Sequence, residues 1–429
     1  MLLRSLILIL LVPSVALAAA APSPTSVVPD RPLSLEDCTG IALQMNPQIT
    51  STDQSVIGAR AGLTRARSSY YPQVSASAVE GIASVTPGNS ERQQQADLAL
   101  RQTLWRRGLK ESVDQSRAFL WAAEYERAAV IQGLVEQVAS DYYGVLATDQ
   151  LVGVSEAGVA SAQQHLDQVR ARVSFGDAAE VDVYPAQDDL ARAQLDLIDA
   201  RSNVRLALAR LKNTMGISPE TYLKLAPAGE PGEAPSSSLG EALQTALSRR
   251  PDALAAQASV AASRSALKQA IIRRGPVADI SGEYGQSYSE WEARDPSWNV
   301  LLSIALPLFD GQATKADVIA SRASLGRTEA ESQRTINQIG LEVESALVEV
   351  ERARERVGAS AVSVAAAEAR LAAAEGKYTQ GIGILIEVID ARVAVTNAQA
   401  NQVRARYDYQ TALVGLQKAT GILRVPGSE

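Results

Sequence analysis

The chain is poor in the residues that usually do chemistry. Its 429 residues hold one histidine, His165, one cysteine, Cys38, and three methionines. A lone cysteine cannot close an intramolecular disulfide, and with one histidine it leaves no zinc finger and no two-histidine metal centre. Cysteine–histidine catalysis would have to pair Cys38 with His165, with no spacing signature behind it. Neither a glycine-rich phosphate loop nor a nucleophile motif is present, so no catalytic residue, metal or cofactor is expected. Aromatic residues are also scarce, with 3 Phe, 4 Trp and 12 Tyr, although 46% of the chain is hydrophobic. The apolar fraction is therefore mostly Ala, Val and Leu, which suits close helix packing better than a thick core. With 41 basic and 48 acidic side chains, the net charge of −7 argues against a nucleic-acid partner.

Residues 1–20 read as a secretory signal, with Arg4 as the positive start, Leu6 to Val12 as the apolar run and Ala16-Leu17-Ala18 as the cleavage pattern. The run is short for an uncleaved anchor, and Cys38 lies too far downstream to be a lipoprotein's acylated cysteine. No later segment offers the ~20 apolar residues of a membrane helix. If the exported chain spans a membrane, it must do so with strands.

An internal repeat organises everything that follows. At an offset of 204, Asn46-Pro47 falls on Arg250-Pro251, Pro72 on Pro276, and Leu98, Leu100, Leu104 and Trp105 on Leu302, Ile304, Leu308 and Phe309. At an offset of 205, Phe175-Gly176 falls on Gln380-Gly381 and Ala186, Ala193, Ala200 and Ala207 on Ala391, Ala398, Ala405 and Ala412. Such self-similarity marks one structural unit written twice. The division is then a Pro-rich segment at 21–33, a first unit at 34–226, a linker at 227–237 and a second unit at 238–425.

No proline occurs between Pro87 and Pro185 or between Pro307 and Pro426, so both stretches can hold long helices. Within them Ile131, Val138, Val145, Val152, Val159, Leu166 and Val173 recur every seven residues, as do Ile336, Val343, Val350, Val357, Val364, Leu371 and Tyr378. A strict seven-residue repeat winds helices left-handedly about their neighbours. The first long helix, about 109–175, would reach ~100 Å at 1.5 Å per residue. Gly176 and Gly381 end the two long helices, and shorter returning helices follow. An opening helix over about 35–70 precedes them in the first unit. His165, beside the Leu166 seam position, is expected on a solvated helix edge.

Each unit also places two strand-like segments between its opening and long helices. In the second, Ala278, Ile280, Gly282, Tyr284 and Tyr288 alternate with polar residues, and Trp298, Val300, Leu302, Ile304, Leu306 and Leu308 follow. The first offers 73–83 and 96–105, with polar loops at 84–95 and 289–296. Segments of this length and alternation suit membrane strands, although a soluble sheet capping a helical bundle would share the pattern. Four strands cannot close a barrel in lipid, where open edges are not tolerated. Three chains would supply twelve strands, so a homotrimer with a helical barrel beneath the strands is expected.

On these residues the chain resembles the TolC outer-membrane efflux family over about 33–425. The resemblance rests on the duplication, on Leu33-Ser34-Leu35-Glu36-Asp37 leading to Asn46-Pro47, and on Pro307-Leu308-Phe309-Asp310-Gly311. Its most specific part runs from Tyr378-Thr379-Gln380-Gly381 through Glu387-Val388-Ile389-Asp390-Ala391. It implies a mainly α fold with a membrane β part, in which a trimeric 12-stranded barrel in outer-membrane lipid continues as an α-helical barrel across the periplasm. It also implies a non-enzymatic exit duct that docks to a periplasmic adaptor and an inner-membrane pump. Carried over by position, Glu387 and Asp390 would form the acidic ring of a periplasmic gate, with Asp182 their counterpart in the first unit. Tyr378 matches a latch tyrosine, while the family's latch arginine falls on Gly383. The tips Phe175-Gly176 and Gln380-Gly381 would meet the adaptor. A periplasmic adaptor or a coiled-coil scaffold is the rival class, since both use long heptad helices. Cargo is not legible: drugs, metal ions, solvents and polypeptides leave through similar ducts.

Overall fold

Proline, serine and glycine set many of the helix boundaries. The computed structural model describes residues 31–86, 89–176, 178–229, 232, 238–289, 292–293 and 295–426. The signal at 1–20, most of the Pro-rich 21–33 segment and most of the 227–237 linker lie outside the described residues. Ser34 begins helix α1 (Leu35–Met45) through a capping box, its hydroxyl accepting from the Asp37 N–H while the Asp37 carboxylate accepts from the Ser34 N–H. Ser238 and Glu241 repeat the device at α5 (Leu239–Arg249).

The opening segment is not one helix, as its length suggested. It breaks into α1 and α2 (Pro47–Ser68), and the second unit breaks likewise into α5 and α6 (Pro251–Ile272). The cause is the proline, which has no N–H to donate and drives the preceding residue out of the helical region. Asn46 and Arg250 are accordingly extended, at φ −71°, ψ 124° and φ −67°, ψ 127°. Asn46 then turns the break to use, its side chain accepting from the Gln48 N–H to cap α2.

The long helices are α3 (Leu109–Ser174, 66 residues) and α7 (Ala313–Thr379, 67 residues). The returning helices are α4 (Val183–Met215) and α8 (Leu385–Ala419). Of the seven-residue series, Val138, Val145, Leu166, Val343 and Val350 are buried and the others half-buried. α3 packs against both α4 and α8, and α8 packs against α7, so the four helices lie in the order α4, α3, α8, α7. This order explains an asymmetry in the alanine series. Ala391, Ala398, Ala405 and Ala412 are all buried because α8 is flanked on both sides, whereas on the edge helix α4 only Ala186 is. Helix α7 also holds an 18-residue window of mean hydropathy 1.3, enough by length and composition to pass for a membrane span. That differs from the sequence reading, and the reason lies in uncharged small residues such as 357–367, which serve helix contact as well as they would lipid.

The far ends of α2 and α6 lead into the sheet. Strands β1 (Gln73–Thr86), β2 (Asn89–Arg106) and β3 (Val277–Ser289) pair antiparallel in sequence. The free side of β3 is taken by β5 (Ser297–Ala305) and by the two-residue β4 (Glu292–Ala293), giving four strand positions. The register aligns Ala76, Leu98, Tyr284 and Trp298 across the sheet, and beside them Val74, Leu100, Gly282 and Val300. The opposite face aligns Ser75, Ala99, Glu283 and Asn299. Large side chains on the apolar face stand in the open, Trp298 at 75% exposure and Ile304 at 72%. The polar stretch 84–95, read as a loop, is mostly strand, with Ala83 paired to Glu91 and Ser84 to Ser90. Ladder hydrogen bonds need no apolar alternation where a strand runs clear of a buried face.

At mid-height the two short helices of each unit meet end to end. The Asn46 amide donates to the Thr214 carbonyl (2.8 Å), and at the equivalent place Arg250 Nη1 donates to the Ala419 carbonyl (3.3 Å). Gly216 and Gly421, both at φ +72°, end α4 and α8 there. A Cβ on Gly216 would sit 2.7 Å from the Met45 carbonyl oxygen, and one on Gly421 2.9 Å from the Arg250 nitrogen. Cys38 is buried in the same region, and burial first, with the nearby Asp37 carboxylate, pushes its thiol up to about 12. Gly216→Ala should therefore combine a left-handed backbone with a clash against main chain, costing about 2 kcal/mol or more. A clear fall in thermal midpoint checks this, and an unchanged midpoint would refute the packing argument.

Candidate functional site

The helical ends opposite the sheet gather the residues that the resemblance singled out. α3 closes at Phe175 and Gly176 (φ +81°), and α7 at Gln380 and Gly381 (φ +76°). A left-handed residue after the last turn is the ordinary glycine stop. Phe175 projects into solvent at 81% exposure, and Ile382 stands out at 74% in the other tip. Asp177 of the first turn lies outside the described residues.

Glu387 and Asp390 are both exposed and one turn apart on α8, so they share a face. Glu387 lies in the first turn, where the helix N-terminus favours a carboxylate. Val388 and Ala391, on the other side, are fully buried. Asp182 stands half-buried at the start of α4, after a single 3-10 turn (Glu180–Asp182). It makes no hydrogen bond or ion pair to Glu387 or Asp390 among the described residues.

Tyr378 is held from the first unit. Arg172 on α3 donates from Nη1 to the Tyr378 carbonyl at 3.0 Å and lays its guanidinium 4.6 Å from the ring centroid, a cation–π distance. The His165 ring lies 5.9 Å from the same ring. Gly383 has no room for the arginine that the family pattern places there. Its Cβ would sit 2.9 Å from both Lys377 Cβ and the Tyr378 nitrogen.

Sequence reasoning missed a buried polar cluster just behind this face. His165 is not on a solvated edge but only 5% exposed, because α3 meets α4 on one side and α8 on the other at this level. Arg392 on α8 is equally buried and donates from Nη2 to Ser161 Oγ at 2.8 Å. Its Nη1 lies 3.8 Å from Asp189 Oδ2 of α4. Burial raises the Asp189 carboxyl while the Arg392 charge opposes that rise. Two signals were available. Arg392 follows Ala391 of the small-residue seam, and Asp189 is the inward member of the adjacent Asp188-Asp189 pair. Asp188 points outward to Arg192 at 2.7 Å. No cluster of three or more His, Cys, Asp or Glu that could hold a metal occurs among the described residues.

Helices of ~100 Å carried below a sheet with an exposed apolar face suit an outer-membrane channel. The sequence pattern of the outer membrane efflux protein family matches residues 39–217 and again 242–422, and the chain belongs to that family. It is 24% identical to outer membrane protein TolC of Vibrio cholerae over 398 residues, 89% of each chain. Protein CyaE of Bordetella pertussis is 27% identical over 324 residues, 73% of this chain and 68% of that one. The fold matches solved CusC with a TM-score of 0.81 at 19% identity, covering 94% of this chain and 99% of that one. It matches the Campylobacter jejuni CmeC outer membrane channel with a TM-score of 0.81 at 18% identity, covering 92% and 87%. The chain is thus an outer-membrane exit duct for efflux or secretion, its helices in the periplasm, from a family of transport ducts and not of enzymes.

Burial first, then the Arg392 charge, pushes His165 down to about 4 from 6.5, while its hydrogen bond with Gln168 acts the other way. Between those values the unfolded chain takes up a proton that the folded chain refuses. Stability on this account is unaffected above pH 6.5 and falls as pH drops towards 4, by about 3 kcal/mol at the bottom. His165→Gln should flatten that loss, so its thermal midpoint should fall less than the parent's between pH 7 and 4.5. Equal slopes would contradict the assignment.

Proposed function

We propose that three copies of this chain assemble into one duct and that the helical ends opposite the sheet form its gated periplasmic mouth. The observation that carries the reading is a set of matched open edges. Among the described residues, β1 and β5 leave unpaired backbone on the two sides of a four-position sheet, which lipid does not tolerate. α4 and α7 are likewise the outer members of the helix row. Joining β5 to β1 and α7 to α4 between neighbouring copies closes both layers at once, with twelve strands above twelve long and returning helices. In this reading 1–20 is removed on export, and 34–226 and 238–425 are the two units of each subunit, joined by the 227–237 linker.

Cargo reaches this duct from an inner-membrane pump through a periplasmic adaptor, and the tips at Phe175-Gly176 and Gln380-Gly381 are the adaptor contacts. Two supports are the exposure of Phe175 and the absence of anything within 4 Å of a Cβ at either glycine. Glu387 and Asp390 face the mouth, with Asp182 beside them on the first unit. Three copies of each carboxylate attract cations. Tyr378 serves as the latch, and Arg172 takes the part for which Gly383 has no side chain.

The test is a purified channel in a planar bilayer. Glu387→Ala with Asp390→Ala should lower cation selectivity by several-fold and abolish block by divalent ions. Selectivity and block like those of the parent would remove the acidic mouth. The detergent-extracted species should have three times the subunit mass, and a monomer would remove the assembly.

A further inference from the structure

The acidic face of α8 has a buried counterpart on its back. Arg392 lies two residues beyond Asp390 but points the other way, into the junction of the four helices, with 7% of its surface exposed. Its Nη2 donates to Ser161 of α3, its Nη1 pairs with Asp189 of α4, and Glu375 near the end of α7 adds a favourable charge. His165 of α3 completes the surround and gains its low proton affinity partly from Arg392. One guanidinium on α8 thus contacts groups on both α3 and α4. Asp189 is nearly as buried, at 11% side-chain exposure, so the pair is only sparsely hydrated. Among the described residues, the ion pair joining α8 to α3, Lys418 to Glu136, lies at the opposite end of α8 and is a third exposed, so it cannot set the rotation of α8 near the mouth.

We infer that Arg392 is the positioning residue of the mouth: its pairing with Asp189 and Ser161 fixes the rotation and approach of α8 against α3 and α4. Glu387 and Asp390, on the opposite face, are thereby aimed. This second step rests on the acidic mouth proposed above, whereas the first does not. Arg172 makes a tie in the reverse sense, from α3 to the end of α7, so each unit reaches into the other near the mouth.

A disulfide reporter separates the two steps. A Cβ on Gly158 of α3 would lie 3.8 Å from Thr396 Oγ1 of α8, one turn above Arg392, so Gly158→Cys with Thr396→Cys can form a bond across that contact. In the full-length channel the pair should oxidise readily. Arg392→Met should slow this at least tenfold, Arg392→Lys should slow it less, and Arg392→Asp with Asp189→Arg should restore it. The same set is read for cation selectivity in the bilayer. Unchanged oxidation in Arg392→Lys and Arg392→Met would overturn the proposal, as would failure of the charge swap to recover any of the loss. Slowed oxidation with recovery by the swap supports it. If selectivity also ignores Glu387→Ala with Asp390→Ala, the acidic mouth fails while the role of Arg392 in holding α8 stands.

Discussion

The junction where an extended residue before proline meets a left-handed glycine supports the rest of the architecture. A helix of 66 or 67 residues needs a partner along its whole length, and no single short helix supplies one. Each unit solves this by ending one helix against the start of another. Asn46 and Arg250 reach the last carbonyls of α4 and α8, while Gly216 and Gly421 allow main chain to lie against main chain. Replace either feature and the stacked pair no longer matches the long helix beside it. The same level collects the chain's other fastenings. Leu33 forms a parallel bridge with Leu225, and the Tyr142 hydroxyl donates to the Ala226 carbonyl at 2.7 Å. The Gln410 amide donates to the Gly229 carbonyl at 3.1 Å, carrying the linker across to α8.

The two units share that junction and differ in charge. Where the first carries the neutral Asn46, the second carries Arg250, buried and held by Asp252 and Glu342, both at 2.6 Å. The carboxylates raise the proton affinity of this guanidinium beyond what burial takes away. An arginine can span from the helix break to the long helix α7, which the shorter asparagine cannot do in its own unit. The duplication therefore preserves geometry and varies the chemistry that fixes it.

Much of this was legible in the sequence because it rests on periodicity. The proline-free stretch with its seven-residue series gave the first long helix, read at about 109–175 and found at Leu109–Ser174, and the alternation at Trp298 to Ile304 gave the apolar face. The glycines at 176 and 381 gave the tips. What escaped depends on neighbours far away in the chain. Asn46-Pro47 was visible as a repeat marker, but the break it makes mattered only once Gly216 was set against it. His165 looks like an edge residue from α3 alone, and only the presence of α8 on its other side buries it. Asp189 and Arg392 are 203 positions apart, and no local pattern joins them. Strand ends at 84–95 were missed for the opposite reason: hydrogen-bonded ladders there carry no apolar signature.

Position in the helix row, more than sequence similarity between the units, decides which residues take on special roles. α8 is flanked by α3 and α7, so its alanines must be small and its one inward arginine must be paired. α4 occupies the same place in the first unit but has an open side, and there large side chains such as Leu195, Ile198 and Leu206 stand exposed. Equivalent positions thus face helix in one unit and leave apolar surface in the other. In the ring proposed above, the exposed face of α4 would lie against α7 of the next copy, which would turn that difference into complementarity. The scarcity of aromatic residues follows from the same geometry. Away from the junction core around Cys38, Tyr142 and Leu211, the helices meet along narrow seams filled largely by alanine and valine.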